Sequence, residues 1–169
     1  MRASSTASAR RGRAGAGCLL ALCLLAAAAT PAAGLYDLSL ERLEARGALA
    51  LEDYRGHVLL LSFFEPGCAW CYRQLRTLER LQARCGQGLR PIAVGINGRN
   101  DALRRELRRA QVTFPGTRAS AALLALTGEV PATPWTLVMT PDGELAATLR
   151  GFVREAPLAA AFPERCPQS

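Results

Sequence analysis

The sequence predicts an α/β fold: a central mixed β-sheet with helices on both faces, completed by a C-terminal β-hairpin and a helix. Three observations carry this expectation. Val58–Phe64 is a continuous apolar run, as expected of a strand covered on both faces, and residues 69–84 follow it directly with apolar positions at helical spacing. A second apolar run, residues 92–96, is followed by another helical pattern. Thr140-Pro141-Asp142-Gly143 then separates two short apolar segments and signals a hairpin. Alternating strands and helices call for parallel neighbours, and a hairpin calls for antiparallel ones, so the sheet is mixed.

Residues 1–34 read as a targeting segment ahead of this fold. Arg2, Arg10, Arg11 and Arg13 occur there without an acid, and residues 18–29 are unbroken apolar. Ala32-Ala33-Gly34 offers small residues for cleavage before Leu35. The apolar core is short for a spanning helix, so a cleaved secretory signal is expected, with an uncleaved anchor as the alternative. Membrane contact is expected only through this segment. The remaining 135 of the 169 residues suit one domain with a substantial core. The whole chain carries +7, but residues 35–169 hold 17 basic and 14 acidic residues, a net +3. That excess is too small to point to nucleic acid.

Within residues 35–169 the elements follow in order. Leu38-Ser39-Leu40 and Leu49-Ala50-Leu51 alternate like strands, and Asp53-Tyr54-Arg55-Gly56 is a turn. Pro66-Gly67 ends the first central strand. In the helix that follows, Cys71, Leu75, Leu78, Leu81 and Cys85 share one stripe, and Arg73, Arg76, Arg80 and Arg84 share a face expected to be solvated. Asp101 is placed to cap a helix over 102–110, and residues 112–116 lead out of it. A short helix is expected over 119–126, hairpin strands over 137–139 and 145–149, and a terminal helix over 155–162.

Cys68-Ala69-Trp70-Cys71 carries the chemistry. It lies between the apolar strand and the helix, so Cys68 stands at a helix N-terminus. Unpaired N–H groups and the helix dipole favour a thiolate there, and a thiolate is the reactive form of cysteine. Two cysteines one turn apart can form and break a disulfide. A zinc site needs two further ligands, usually as a second close pair. Cys85, Cys166 and His57 supply no such pair, so no metal is expected. A purely structural bond across so small a loop would constrain the unfolded chain little.

Three segments extend this into a resemblance over roughly residues 38–152. Leu51-Glu52-Asp53-Tyr54-Arg55-Gly56-His57-Val58 precedes the first central strand. Phe63-Phe64-Glu65-Pro66-Gly67-Cys68-Ala69-Trp70-Cys71 occupies an active-site position. Val130-Pro131-Ala132-Thr133-Pro134-Trp135-Thr136-Leu137-Val138-Met139-Thr140-Pro141-Asp142-Gly143 is similar to a proline loop and hairpin. In order and spacing the chain resembles thioredoxin-fold proteins, closest to the exported disulfide reductases of the TlpA and CcmG type. The resemblance implies a thioredoxin-like fold with Cys68 as attacking thiol and Cys71 as resolving thiol. It implies a cis peptide bond before Pro134, with Thr133, Pro134 and Trp70 as substrate-binding residues. It also implies an exported location, in the periplasm or on the cell-envelope side of a bacterial inner membrane.

Two departures stand out. Ser62 replaces the buried carboxylate that thioredoxin carries at this point, and Gly67 replaces the usual Trp before the first cysteine. Glu65 is the nearest acid and a candidate for proton transfer, the alternative being an ordinary solvated loop acid. His57 is expected at the surface. In this fold the far ends of the active-site helix and the terminal helix could meet, so Cys85 and Cys166 are expected to form a structural disulfide. Two separate thiols are the alternative.

The expected function is reduction of protein disulfides through a mixed-disulfide intermediate. The same fold could run the reverse oxidation, and a peptide-binding module using the Thr133-Pro134 groove is the rival of another class. The partners implied by the resemblance are proteins with disulfides or thiols, apocytochrome c among them, and an upstream membrane-bound thiol donor. No bound cofactor is expected, since the dithiol itself carries the electrons.

Overall fold

The computed structural model describes residues 34–166; the basic and apolar parts of the expected targeting segment lie outside them. Strands β1 (Ser39–Glu41) and β2 (Ala48–Ala50) form a small antiparallel pair. The main sheet contains β3 (Val58–Phe64), β4 (Leu89–Gly95), β5 (Gly116–Arg118), β6 (Trp135–Met139) and β7 (Leu145–Arg150), in the order β5-β4-β3-β6-β7. The helices are α1 (Ala69–Cys85), α2 (Asn100–Ala110), α3 (Ala121–Thr127) and α4 (Glu155–Ala160).

Strand β3 pairs parallel with β4 and antiparallel with β6, so the sheet is mixed. All seven residues of β3 are buried, and alternation splits them between two cores. Val58, Leu60 and Phe64 pack with Leu75, Leu78 and Leu81 of α1, Leu103 and Leu107 of α2, and Leu158 of α4. Leu59, Leu61 and Phe63 pack on the opposite face with Leu123 of α3 and with Leu40, Leu49 and Tyr54 of the N-terminal layer. Helices therefore cover both faces. Each fully buried leucine contributes on the order of 1.5–3 kcal/mol, which makes the α1 stripe the main anchor of that helix.

Several element expectations change. Strand β4 begins at Leu89 rather than at residue 92 and includes Pro91, which pairs with Leu60. Proline is tolerated because β5 reaches only Ala93 to Gly95. The Ala93 N–H donates toward the β5 side, to Pro115, so the missing Pro91 N–H faces an unpaired edge. Strand β5 was not expected; three residues with Gly116 and Arg118 carry no apolar signal. Helix α2 starts at Asn100, with Arg99 as N-cap. Asp101 does not cap it but lies in the first turn and pairs with Arg99 and Arg105. Helix α3 starts later than expected, after Ser120, whose hydroxyl accepts the Leu123 N–H at 3.1 Å. Helix α4 stops at Ala160, short of residue 162.

The arginine face of α1 is solvated as expected at Arg73, Arg80 and Arg84, which are exposed, while Arg76 is half-buried. Arg80 and Arg84 both reach Glu155 of α4, at 3.0 and 3.5 Å, and Arg76 donates to the Ala110 carbonyl of α2. Cys85 ends α1, and its sulfur is bonded to that of Cys166 in the turn after α4; both residues are buried. A bond across 81 residues lowers unfolded-chain entropy by about 4 kcal/mol at room temperature. The Cys85→Ser/Cys166→Ser variant is expected to lose stability of that order in urea unfolding. Because the pair lies some fourteen residues beyond Cys71, about 21 Å along the helix, thiol chemistry at Cys68 is expected to be unchanged.

Candidate active site

Strand β3 delivers Glu65-Pro66-Gly67 to the C-terminal end of the sheet. Gly67 takes φ +76°, a conformation that favours glycine, and its N–H donates to Glu106 of α2 at 3.1 Å. This turn leaves Cys68 as the N-cap of α1, and the Cys71 N–H donates to its Sγ at 3.1 Å. Cys68 and Cys71 are joined by a disulfide with Cα atoms 5.2 Å apart. Cys68 is partly exposed, while Cys71 is only 2 % exposed. An incoming sulfur can therefore approach one member of the pair and not the other.

The loop before β6 covers the disulfide. Its Thr133–Pro134 peptide is cis, and Pro134 is buried. The Thr133 carbonyl oxygen lies 3.9 Å from Cys68 Sγ, and its hydroxyl oxygen 3.7 Å. Beside this contact runs a groove of about 570 Å³ lined by Trp70, Arg73, Thr133, Pro134, Phe152 and Arg154. Trp70 is 53 % exposed. Its ring stacks on Phe152 with centroids 5.8 Å apart, and the Arg73 guanidinium sits 4.6 Å from the Trp70 centroid.

Glu65 is not an ordinary solvated acid. Its Oε1 accepts the Thr133 hydroxyl at 2.6 Å, and its Oε2 accepts Asn97 Nδ2 at 3.0 Å. The Thr133 hydroxyl first, and Asn97 second, hold its carboxyl below the ordinary 4.5. The group is thus ionised at neutral pH, a state suited to accepting hydrogen bonds. Asn97 is steered there by the turn after β4, where Gly98 packs so tightly on Pro66 that a Cβ would lie 2.6 Å from the ring.

Ser62 is buried in β3, and its hydroxyl is engaged by that of Thr136 at 3.0 Å. His57 sits partly exposed at the start of β3, with Nδ1 3.1 Å from the Gln87 carbonyl oxygen. Cys85 and Cys166 lie at the other end of α1. Sequence reasoning missed Phe152, Asn97, Glu106 and Gln74. Gln74 is 1 % exposed, and its Oε1 accepts the Val153 N–H at 2.8 Å, which ties the groove wall to α1. A glutamine three residues after Cys71, between apolar stripe positions, was the available signal. The other three act through tertiary proximity. Among the described residues no cluster of three or more His, Cys, Asp or Glu could hold a metal ion, and no helix is long and apolar enough to cross a membrane.

No protein-family model matches this sequence, and no curated protein matches it either. Solved structures do. A thiol:disulfide interchange protein of the thioredoxin family from Chlorobium tepidum superposes with TM-score 0.67 at 13 % identity, over 76 % of this chain and 92 % of that one. A DsbF homologue from Corynebacterium diphtheriae gives 0.66 at 19 %, over 75 % and 83 %. A secreted Mycobacterium tuberculosis disulfide oxidoreductase homologous to E. coli DsbE gives 0.63 at 15 %, over 73 % and 92 %. The chain has the thioredoxin-like fold. At these identities the likeness is one of fold, and the chemistry rests on the site.

The Glu65 contacts set a pH dependence. A carboxyl whose folded value lies below its unfolded value stabilises the fold fully above the unfolded value, and that stability is lost as pH falls through the folded one. The stability difference between wild type and Glu65→Gln is expected to be constant from pH 7 to about 5. It should shrink below pH 4.5, as read by urea unfolding across that range.

Proposed function

We propose that this protein is an exported thiol:disulfide oxidoreductase that reduces protein disulfides. The observation that carries this is the asymmetric pair at the start of α1, with Cys68 reachable, Cys71 buried and Thr133 against the outer sulfur. In the reduced protein the Cys68 thiolate attacks one sulfur of a client disulfide. A Cys68–client bond forms, the client disulfide breaks, and the departing client sulfur takes a proton. Cys71, once deprotonated, attacks Cys68 Sγ, and the second client sulfur leaves and is protonated. The client gains two electrons and two protons, and the protein ends as the disulfide. A thiol donor upstream restores the dithiol by the same exchange in reverse.

Thr133 and Pro134 form the contact face for an extended client segment, and Trp70 with Phe152 offers it an aromatic wall. Export is supported by the basic and apolar residues of 1–34 and by the secreted relative of the same fold. Apocytochrome c remains a client by resemblance alone. The oxidase reading has one observation in its favour, the Cys71 N–H aimed at Cys68 Sγ, which stabilises a thiolate.

Potential and variants test these readings. In residues 35–169 equilibrated with glutathione or dithiothreitol, a Cys68–Cys71 potential near or below about −270 mV is expected; a value near −120 mV would make the protein an oxidant. Cys68→Ser is expected to abolish disulfide reduction, and Cys71→Ser to accumulate a mixed disulfide with the client. Retained cellular function in Cys68→Ser would favour the peptide-binding module. A further expectation concerns clients. Arg73 and Arg154 line the groove, while Glu155 faces Arg80 and Arg84 instead. Peptide disulfides flanked by Asp should be reduced with higher kcat/KM than Lys-flanked ones, and Arg73→Glu/Arg154→Glu should invert the ratio.

A further inference from the structure

The geometry points to Glu65 as a positioning residue that, through the Thr133 hydroxyl, disfavours the Cys68 thiolate and so biases the couple toward reducing its clients. This deepens the oxidoreductase reading and rests on it. A hydroxyl has one proton to donate. Thr133 donates its proton to Glu65 across 2.6 Å, a short bond to an ionised acceptor. What the Thr133 oxygen turns toward Cys68 Sγ, 3.7 Å away, is then a lone pair. The Thr133 carbonyl oxygen at 3.9 Å presents the same polarity. Both can accept from a Cys68 S–H, and neither can donate to a thiolate.

The charged groups around this sulfur come from four places. Glu65 lies one hydrogen bond behind Thr133, and Glu106 of α2 accepts the N–H of Gly67, next to Cys68. Arg73 of α1 is held over the Trp70 ring, and Arg154, just before α4, lines the groove. Opposing the acids is the N-terminus of α1, with the Cys71 N–H on the sulfur. Of these groups only Glu65 controls where the Thr133 proton points. Asn97 fixes the second carboxylate oxygen, so the acid cannot turn away. A reduced form denied thiolate stabilisation is less favourable, and a less favourable reduced form is a stronger reductant.

The test uses the full chain with its dithiol intact, following thiolate absorbance against pH and equilibrium with glutathione. Glu65→Gln keeps the shape, removes the charge and leaves one acceptor for two donors. With its carbonyl oxygen on Asn97 Nδ2, its Nε2 donates to the Thr133 oxygen and frees the hydroxyl proton for Cys68 Sγ. It is expected to raise the Cys68 thiolate fraction below its pKa about tenfold and to shift the glutathione equilibrium about tenfold toward the reduced protein, about 30 mV. Thr133→Ser keeps the hydroxyl and should retain the wild-type titration. In a Thr133→Val background the Glu65→Gln effect should largely vanish. An unmoved Cys68 pKa in folded Glu65→Gln overturns the inference, as does an equal shift in both backgrounds, which would leave Thr133 no part. If Glu65→Gln does not fold, a wild-type titration in Thr133→Val overturns it as well. A protein with no reversible two-electron couple would instead overturn the oxidoreductase reading itself.

Discussion

Burial of β3 on both faces is the constraint from which the site follows. Its seven residues carry no exposed position, so the strand must be covered by α1, α2 and α4 on one side and by α3 with the N-terminal layer on the other. A strand enclosed in this way can offer chemistry only at its end. The chain leaves β3 through Glu65-Pro66-Gly67 and enters α1 at once, and the leucine stripe of α1 fixes the helix against the same strand. The first thiol thus stands at a helix N-terminus that is rigid because its far turns are buried. Pro134 completes the site because β6, which follows it, is the antiparallel neighbour of β3.

Electrostatics at Cys68 is a contest between close groups. The helix N-terminus and the Cys71 N–H favour charge on sulfur. The Thr133 oxygens and the carboxylate behind them disfavour it. Both sides are within about 4 Å of the sulfur or one hydrogen bond beyond, and so are poorly screened by salt. Of the two residues between the cysteines, Ala69 is exposed and Trp70 lines the groove beside the pair.

The two disulfides sit at opposite ends of one helix. The short-loop pair at the N-terminus of α1 has one partly exposed sulfur beside a groove. The long-loop pair at its C-terminus is buried and joins α1 to the turn after α4, where Glu155 also holds Arg80 and Arg84. The C-terminal segment is thereby fastened by one covalent link and a cluster of ion pairs. Val153 is tied to Gln74 as well, which steadies the wall that carries Phe152.

Much of this was legible in the sequence because it is local. The apolar run of β3, the 3.6-residue stripe of α1 and the Pro-Asp-Gly turn are patterns that a short segment carries by itself. The strand–Cys-x-x-Cys–helix order likewise placed Cys68 at a helix start. What failed locally was short or rule-breaking: β5 has three residues and no apolar signal, Pro91 sits in a strand because its neighbour stops short, and Asp101 prefers two arginines to a capping role. The link between Glu65 and Thr133 spans 68 positions in the chain. No propensity or spacing encodes such a pairing, because it arises only when β6 is laid against β3. The sequence alone therefore determined the longer, regularly patterned elements and the place of the Cys68–Cys71 pair. The tertiary structure decided the surroundings that set how that pair reacts, since hydrogen bonds and burial depend on distances that only the packed sheet establishes.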